Sequence, residues 1–436
     1  VEFVRKLRQR EADGNPIRVG IVGCGQMGSG LAHSINNVVG MTVAAVADTE
    51  PERGVATFTG MGWSRDDIVL TDTLGPAQDA LVAGRAVVTA DALLMPQLES
   101  VDANVEATGV PDVGAHVAWL SVMNGKPIIM LNVETDVTVG AILSRLALKA
   151  GSIYTVASGD EPGVCKMLYE QATLMGFEVV CLGKGKNNPL NLGATPDSAR
   201  QEALSKGMNP KILAAFQDGT KTMIEMAAVS NATGLLPDVP GMHGPEAEVE
   251  DLARVFVPKE DGGIFSRRGT VDYSTGKVAP GVFAIVYAAD ARMRKDMQFI
   301  THAEGPYYLH YRPYHLCDLE TPQSVAEAVL FGERTIASDA INSEVVAVAK
   351  RDLKAGWKVK GIGGEDWYGT IVTAEDARTQ EAVPIGVAAG GTVTTDVRKG
   401  ELLTRQSFAP DQDTFVYRLR RMQDALLAGE SEGPPR

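Results

Sequence analysis

Arg18-Val19-Gly20-Ile21-Val22-Gly23-Cys24-Gly25-Gln26-Met27-Gly28 is the stretch on which the reading of this chain turns. An apolar run enters Gly-x-Gly-x-x-Gly and continues into Ser29-Gly30-Leu31-Ala32-His33-Ser34-Ile35, which reads as a helix. In a strand–turn–helix of this kind Gly23 makes the tight turn, Gly25 lets the backbone approach a pyrophosphate, and Gly28 lets the helix lie close to the strand. The helix N-terminus, opened by Gln26 and Met27, then faces the phosphate charge. A second apolar run, Met41 to Ala47, ends at Asp48, twenty residues after Gly28, where a carboxylate can bond the adenosine ribose. The segment is read as a dinucleotide site with Gly23, Gly25, Gln26, Met27, Gly28 and Asp48 against the cofactor. Asp48 favours the free ribose hydroxyl of NAD, whereas Arg53 would neutralise the ribose phosphate of NADP, so these residues leave that choice open.

At 436 residues the chain exceeds the size one hydrophobic core serves, and two or three domains are expected. Apolar residues are 44% and charged residues 22%, ordinary for a globular protein. The net charge of −14 disfavours nucleic acid and anionic membrane as partners. Cys24, Cys165, Cys181 and Cys317 form no C-x-x-C pair, which argues against a zinc knuckle or a disulfide framework and fits a reducing cytoplasm. Val1 to Arg10 carries no signal-peptide core, no run of about 20 apolar residues could span a bilayer, and Gly429 to Arg436 has the composition of a disordered tail.

Strand-like and helix-like segments alternate to residue 158, as in an α/β doubly wound parallel sheet of Rossmann type. Asn104 to Gly109 resembles a later strand whose end, Thr108 and Gly109, would sit over the cofactor. Lys126 to Glu134 resembles another, with Asn132 and Glu134 at its polar end. Residues 159–335 are expected to form a central α+β catalytic and dimerisation domain. Residues 336–436, with Asp352 to Gly356 and Asp396 to Gly400 as turn signals, are expected to form a small β-rich domain.

Several polar groups are candidates for chemistry. Asp218, Lys221 and Glu225 are spaced i, i+3 and i+7 in a helical pattern running from Pro210 to Ala232, so one stripe would carry all three into an otherwise apolar setting. Lys184 and Lys186 alternate across Gly185, a spacing that points two ammonium groups one way and suits an anion between them. Glu161 sits in a turn at the exit from the sheet, as a base or metal ligand. His243 lies in a glycine-flanked loop. Tyr308, His310 and Arg312 share a strand face, with His315 on the opposite parity. No H-x-x-x-H pattern supports zinc, so any metal would be Mg²⁺ or Mn²⁺ on oxygen ligands, and no metal ligand set is assigned.

The fingerprint Gly23 to Gly28, the Asp218-Gly219-Thr220-Lys221 segment running into Asn231-Ala232-Thr233-Gly234-Leu235, and Pro384 to Ala388 with Asp396 to Glu401 together resemble the 1-deoxy-D-xylulose-5-phosphate reductoisomerase-like enzymes. The resemblance implies a homoserine-dehydrogenase-type amino-terminal half, a SAF-type carboxyl-terminal domain, a homodimer and NADP(H) as cofactor. It also implies an activity: conversion of 1-deoxy-D-xylulose 5-phosphate to 2-C-methyl-D-erythritol 4-phosphate for isoprenoid precursors. Where homoserine dehydrogenases end a strand in Ala-Asn-Lys, this chain has Leu131-Asn132-Val133-Glu134, and the available cations are Lys184, Lys186 and Lys221.

The implied reaction needs a base for a hydroxyl proton and cations for an enolate oxygen. The base is expected at Asp218 or Glu161, with Glu225 on the same stripe, and oxyanion stabilisation at Lys184 or Lys221. Substrate phosphate is expected at Lys186, Asn187 and His243, with His310 nearby. Two other readings compete: an NAD(P)-dependent dehydrogenase of a sugar acid or semialdehyde, and a non-catalytic nucleotide sensor.

Overall fold

The computed structural model describes residues 2–431. α1 (Glu2–Ala12) precedes β1 (Ile17–Val22), and β1 feeds α2 (Gln26–Asn36) through the glycine turn. The alternation continues as β2 (Met41–Ala47), α3 (Pro51–Gly60), β3 (Ile68–Leu70), α4 (Leu74–Val82), β4 (Ala86–Thr89), β5 (Ala103–Glu106), α5 (Pro111–Met123), β6 (Ile128–Met130), α6 (Val133–Ala150) and β7 (Tyr154–Val156). The seven strands are all parallel, in the order β3-β4-β2-β1-β5-β6-β7. The winding reverses between β1 and β5, so their carboxyl ends form the switch point at which such sheets take ligands. Ile17, Val19 and Ile21 pack with Leu31, Ile35, Val43, Val46 and Phe58, which accounts for the unbroken apolar runs: strands covered on both faces have no polar side.

From Glu161 a second architecture begins. Its elements are α7 (Glu161–Leu174), β8 (Glu178–Gly185), α8 (Pro196–Ser205), α9 (Pro210–Gln217), α10 (Thr220–Thr233), β9 (Leu236–Pro237), α11 (Leu252–Val255), β10 (Thr270–Ser274), β11 (Val282–Tyr287), α12 (Ala291–Thr301) and β12 (Tyr307–Arg312). Five strands form a mixed sheet, β12-β11-β8-β10-β9, in which β11 runs antiparallel to both neighbours. Register places Lys184 level with Val282 and Arg312 on one side and Tyr273 on the other. The alternate residues Gly183 and Phe283 face the other way, where Phe283 packs with Phe256 and Phe265.

α13 (Cys317–Phe331) returns to the first architecture, with Val325, Ala326 and Ala328 in the core beside Leu31 and Ile35. β13 (Ser343–Ala349) and β14 (Trp367–Thr373) then pair antiparallel and are followed by α14 (Ala374–Thr379) and the short pair β15 (Thr392–Val393) and β16 (Phe408–Ala409). These strands are tied to α10: Gly369 N–H donates to Thr220 Oγ1 at 2.8 Å, and the Ser230 and Ser343 hydroxyls lie 2.6 Å apart. α15 (Phe415–Ser431) closes the chain on α5 and α6. Its Phe415 stacks on His116 at 4.4 Å. Its Gln423 amide donates to Thr138 O and accepts from Ile142 N–H, both at 3.0 Å.

Contacts therefore group the chain into two compact units: residues to Asp160, Leu316–Asp339 and from Gln412 onward in one, Glu161–His315 and Ala340–Asp411 in the other. The cut at 160 lies close to the expected 158. The β-rich segment expected from 336 divides differently, because α15 belongs with the parallel sheet while β13 to β16 group with residues 161–315. Of the expected tail, Gly429 to Ser431 continue α15, since Ala425-Leu426-Leu427-Ala428 propagates the helix, and the remainder lies outside the described residues. Among the described residues no helix is long and apolar enough to cross a membrane.

Candidate active site

In the first unit the glycine turn has the geometry that its spacing predicts. A Cβ added to Gly28 would stand 1.8 Å from the Gly23 carbonyl oxygen, whereas one added to Gly25 would meet nothing within 4 Å. The space in front of Gly25 is open at the start of α2, the cradle a pyrophosphate requires, and Gln26 and Met27 are exposed beside it. Asp48, just past β2, accepts from Cys24 N–H at 2.7 Å and from Glu50 N–H at 2.9 Å, so it braces the turn while remaining partly exposed. Arg53 pairs with Glu50 at 2.6 Å on an exposed helix face.

Thr108 and Asn132 are both held by buried neighbours. Thr108 donates through its N–H and its hydroxyl to the Glu106 carboxyl, and Gly109 follows at φ +66°. Asn132 caps α6, accepting from Thr135 N–H at 3.1 Å, and donates to Val110 O at 3.2 Å, so its polar groups are used in structure. Glu134 lies buried in the first turn of α6. Sequence reasoning passed over Glu106, which burial pushes up to about 7 against the Thr108 and Asn132 hydrogen bonds, with the Glu134 charge adding to the rise. Its signal was a carboxylate ending an apolar strand.

Substituting Gly25 and Gly28 is expected to separate binding from folding. Gly25→Val should fold and lose nucleotide, because its side chain would fill the open cradle. Gly28→Ala should lose the fold itself, because backbone oxygen occupies the Cβ position. Calorimetric titration with NADPH and circular dichroism read the two effects, and full NADPH affinity in a folded Gly25→Val would place the phosphates elsewhere.

In the second unit three elements converge on one ammonium. Glu161 opens α7, Lys184 lies near the end of β8 and Glu225 lies in the middle of α10, and Lys184 Nζ donates to both carboxylates. The three side chains are almost wholly buried. The opposite face is closely packed at both neighbours of Lys184, where only glycine fits: a Cβ at Gly183 would strike the Phe283 ring at 2.3 Å, and one at Gly185 would strike Ala279 N at 2.0 Å. Burial acts to lower the Lys184 pKa, but the charges and hydrogen bonds of Glu161 and Glu225 outweigh it and hold the amine well above its usual range. Burial and the Glu161 charge raise Glu225, against Lys184 and Lys221, the latter one turn earlier on α10. Glu161 and Glu225 share one ammonium, which supplies the positive charge between them, and both carboxylates belong to a set of acidic groups close enough together to hold a metal ion.

Around this clamp stand two further groups. His315 Nε2 lies 3.3 Å from Glu161 Oε1 and its Nδ1 lies 2.8 Å from Pro280 O. Lys186 Nζ donates to Asn188 O and Phe216 O, each at 2.8 Å. Burial, then repulsion from Lys184, lowers its pKa to about 8. Asn187 is exposed in the loop that follows.

Residues 159–321 match the family described as oxidoreductase DRL, catalytic domain. Over that segment, which contains the whole clamp, the chain is similar to an oxidoreductase family. A search of curated proteins found no match. Similar solved structures include a probable dehydrogenase from Thermotoga maritima (12% identity, TM-score 0.39, 73% of this chain and 90% of that one). Another is scyllo-inositol dehydrogenase from Lactobacillus casei with NAD(H) and scyllo-inositol (13%, TM-score 0.37, 63% and 74%). A third is myo-inositol dehydrogenase from Lactobacillus casei with NAD(H) and myo-inositol (12%, TM-score 0.33, 70% and 68%).

Two expectations need correction, those for Asp218 and His243. The helix from Pro210 to Ala232 is broken at Asp218-Gly219, where Gly219 takes φ +87°. Asp218 therefore caps α9 instead of joining the Lys221–Glu225 stripe, and its buried carboxylate ion-pairs with Lys350 at 2.7 Å. His243 bonds Asp238 at 2.8 Å, and its N–H is held by Asp272, which is level with Gly183 and so projects from the sheet face opposite Lys184. His310 shares the Lys184 face but sits edge-on to Phe177 at 5.7 Å, where burial lowers its pKa.

Proposed function

We propose that this chain is an NADPH-dependent reductoisomerase that converts 1-deoxy-D-xylulose 5-phosphate to 2-C-methyl-D-erythritol 4-phosphate. The observation that carries the reading is the Lys184 clamp: a buried cation between two carboxylates is suited to taking a hydroxyl proton and steadying the oxyanion that results. Two of the three ammonium N–H groups bind Glu161 and Glu225, and the third is left for a substrate oxygen. The open cradle at Gly25 fits a dinucleotide, and NADPH bound there would supply the hydride that reduces the rearranged aldehyde.

Glu161 takes the base role, because Asp218 is committed to Lys350. It removes the C4 hydroxyl proton, the C3–C4 bond breaks in a retro-aldol step, and Lys184 stabilises the C2 enolate oxygen until aldol closure forms the branched aldehyde. Glu225 keeps the Lys184 ammonium charged and in place, and Lys221 offsets the second carboxylate. Lys186 holds the phosphate with the N–H that its two carbonyl partners leave over.

Incubating the protein with NADPH and 1-deoxy-D-xylulose 5-phosphate, with and without Mg²⁺ or Mn²⁺, tests the reading by mass and NMR of the product. NADPH oxidation with an unrearranged skeleton would indicate a simple dehydrogenase, and tight NADPH binding without turnover a sensor. Lys186 adds a pH signature. With its folded-state pKa lowered to about 8, it is a cation below that pH and neutral above it, so the KM for substrate is expected to rise as pH passes 8 while the NADPH KM stays flat. Lys186→Ala should raise the substrate KM below pH 8, toward the value the wild type reaches above it, and remove the dependence; a wild-type KM in that variant below pH 8 would assign the phosphate to another group.

A further inference from the structure

We propose that His315 is the second proton site of the clamp, taking from Glu161 Oε1, through Nε2, the proton that Glu161 accepts from substrate, and returning it later in the cycle. The proposal rests on the acid–base role given to Glu161 above. Its geometric basis is the other ring nitrogen. Nδ1 stands 2.8 Å from the Pro280 carbonyl oxygen, which can only accept, so this contact is a hydrogen bond only when Nδ1 carries the hydrogen. In the neutral ring Nε2 then bears a lone pair, and it faces a carboxylate oxygen at 3.3 Å. Two acceptors at that separation are drawn together by a proton between them, so the pair can hold one proton and place it on either side.

The step balances without another reagent. Protonated Glu161 loses its O–H hydrogen, Nε2 gains an N–H, the ring becomes imidazolium and Glu161 returns to carboxylate. The reverse transfer restores the acid for the next protonation of substrate. Other titratable groups within the unit are unsuited to the role. Lys184 is already an ammonium donating to Glu161, and Glu225 shares that donor. Lys221 and Lys186 act on Glu225. The Cys165 thiol, one turn along α7 from Glu161, is kept protonated by burial and by the Glu161 charge. His315 therefore acts through Glu161 as a positioning and proton-holding residue.

The first test needs neither substrate nor cofactor. ¹⁵N NMR of the full chain at alkaline pH should show His315 as the Nδ1–H tautomer; a neutral ring with hydrogen on Nε2 would overturn the proposal, since that nitrogen could no longer accept. The second test is kinetic. His315→Asn keeps a donor toward Pro280 and loses reach to Glu161, while His315→Gln keeps a donor toward Glu161 and cannot titrate. Both should lose at least about tenfold in kcat, and the limb of the kcat–pH profile that the pair supplies, with NADPH affinity unchanged. Wild-type turnover and profile in His315→Asn would show that His315 only braces Pro280. A wild-type protein that leaves 1-deoxy-D-xylulose 5-phosphate unrearranged would overturn the reaction assigned above, and the tautomer would still decide the proton site.

Discussion

Lys184→Met is expected to cost on the order of 3–5 kcal/mol of stability at neutral pH, because it strands two carboxylates in the interior without their counter-charge. Glu161 and Glu225 expose only 5% and 3% of their side chains, so water cannot replace the ammonium. The folded protein would respond by binding a proton. Glu225 is already raised by burial and by the Glu161 charge, and removing Lys184 takes away the main opposing influence. A carboxyl whose folded-state pKa lies above its unfolded value binds more protons folded than unfolded across that window, so stability falls as pH rises through it. The variant should thus lie nearest the wild type in acid and fall away toward neutrality. Urea midpoints at two pH values measure this, and Lys184→Met with Glu225→Gln should recover part of the loss. Wild-type midpoints in the single variant at both pH values would refute the clamp.

What was legible in the sequence follows from how local each signal is. The nucleotide turn was readable because all its constraints lie within eleven residues: Gly28 must lack a Cβ to clear Gly23, and that need is written in the spacing. Lys184, Glu161, Lys221 and Glu225 were each visible as polar groups in apolar surroundings, yet their assembly was not. Glu161 lies 23 residues and Glu225 41 residues from Lys184, and only the packing of α7 on β8 and of α10 on α7 brings the three elements together. Asp218 shows how the helical stripe misled. Periodicity assumed a continuous helix, whereas Gly219 in the left-handed region ends α9 and starts α10, turning Asp218 toward a lysine far along the chain. His315 was placed by strand parity on the face away from His310. It lies three residues beyond β12, where parity no longer governs direction, and the chain turns it onto Glu161. His243 had a glycine-flanked loop as its only cue, and loop composition carries no information about which sheet face Asp272 projects from.

Glu161→Gln is expected to depress the single-turnover rearrangement by at least about two orders of magnitude while leaving NADPH affinity intact. The substitution keeps shape and an oxygen toward Lys184, so the ammonium retains a partner from α7 and the fold should hold. What disappears is the ability to take a proton. Single-turnover measurement matters because product release or cofactor exchange can mask a slowed chemical step in steady-state rates. Asp218→Asn is the matched control: it removes a buried charge from Lys350, so its effect should appear in stability first and in chemistry only through loss of folded protein. A Glu161→Gln protein that rearranges substrate at near-normal rate, beside an Asp218→Asn protein that is folded but inert, would return the base to Asp218. The reverse pattern, an inert Glu161→Gln and an active Asp218→Asn, leaves Glu225 as the other carboxylate on Lys184, and Glu225→Gln then separates taking the proton from merely holding the ammonium in place. If Glu225 only holds the ammonium, Glu225→Gln should lose oxyanion stabilisation in part and keep the pH dependence of the wild type, because the group that titrates in the chemical step is still present.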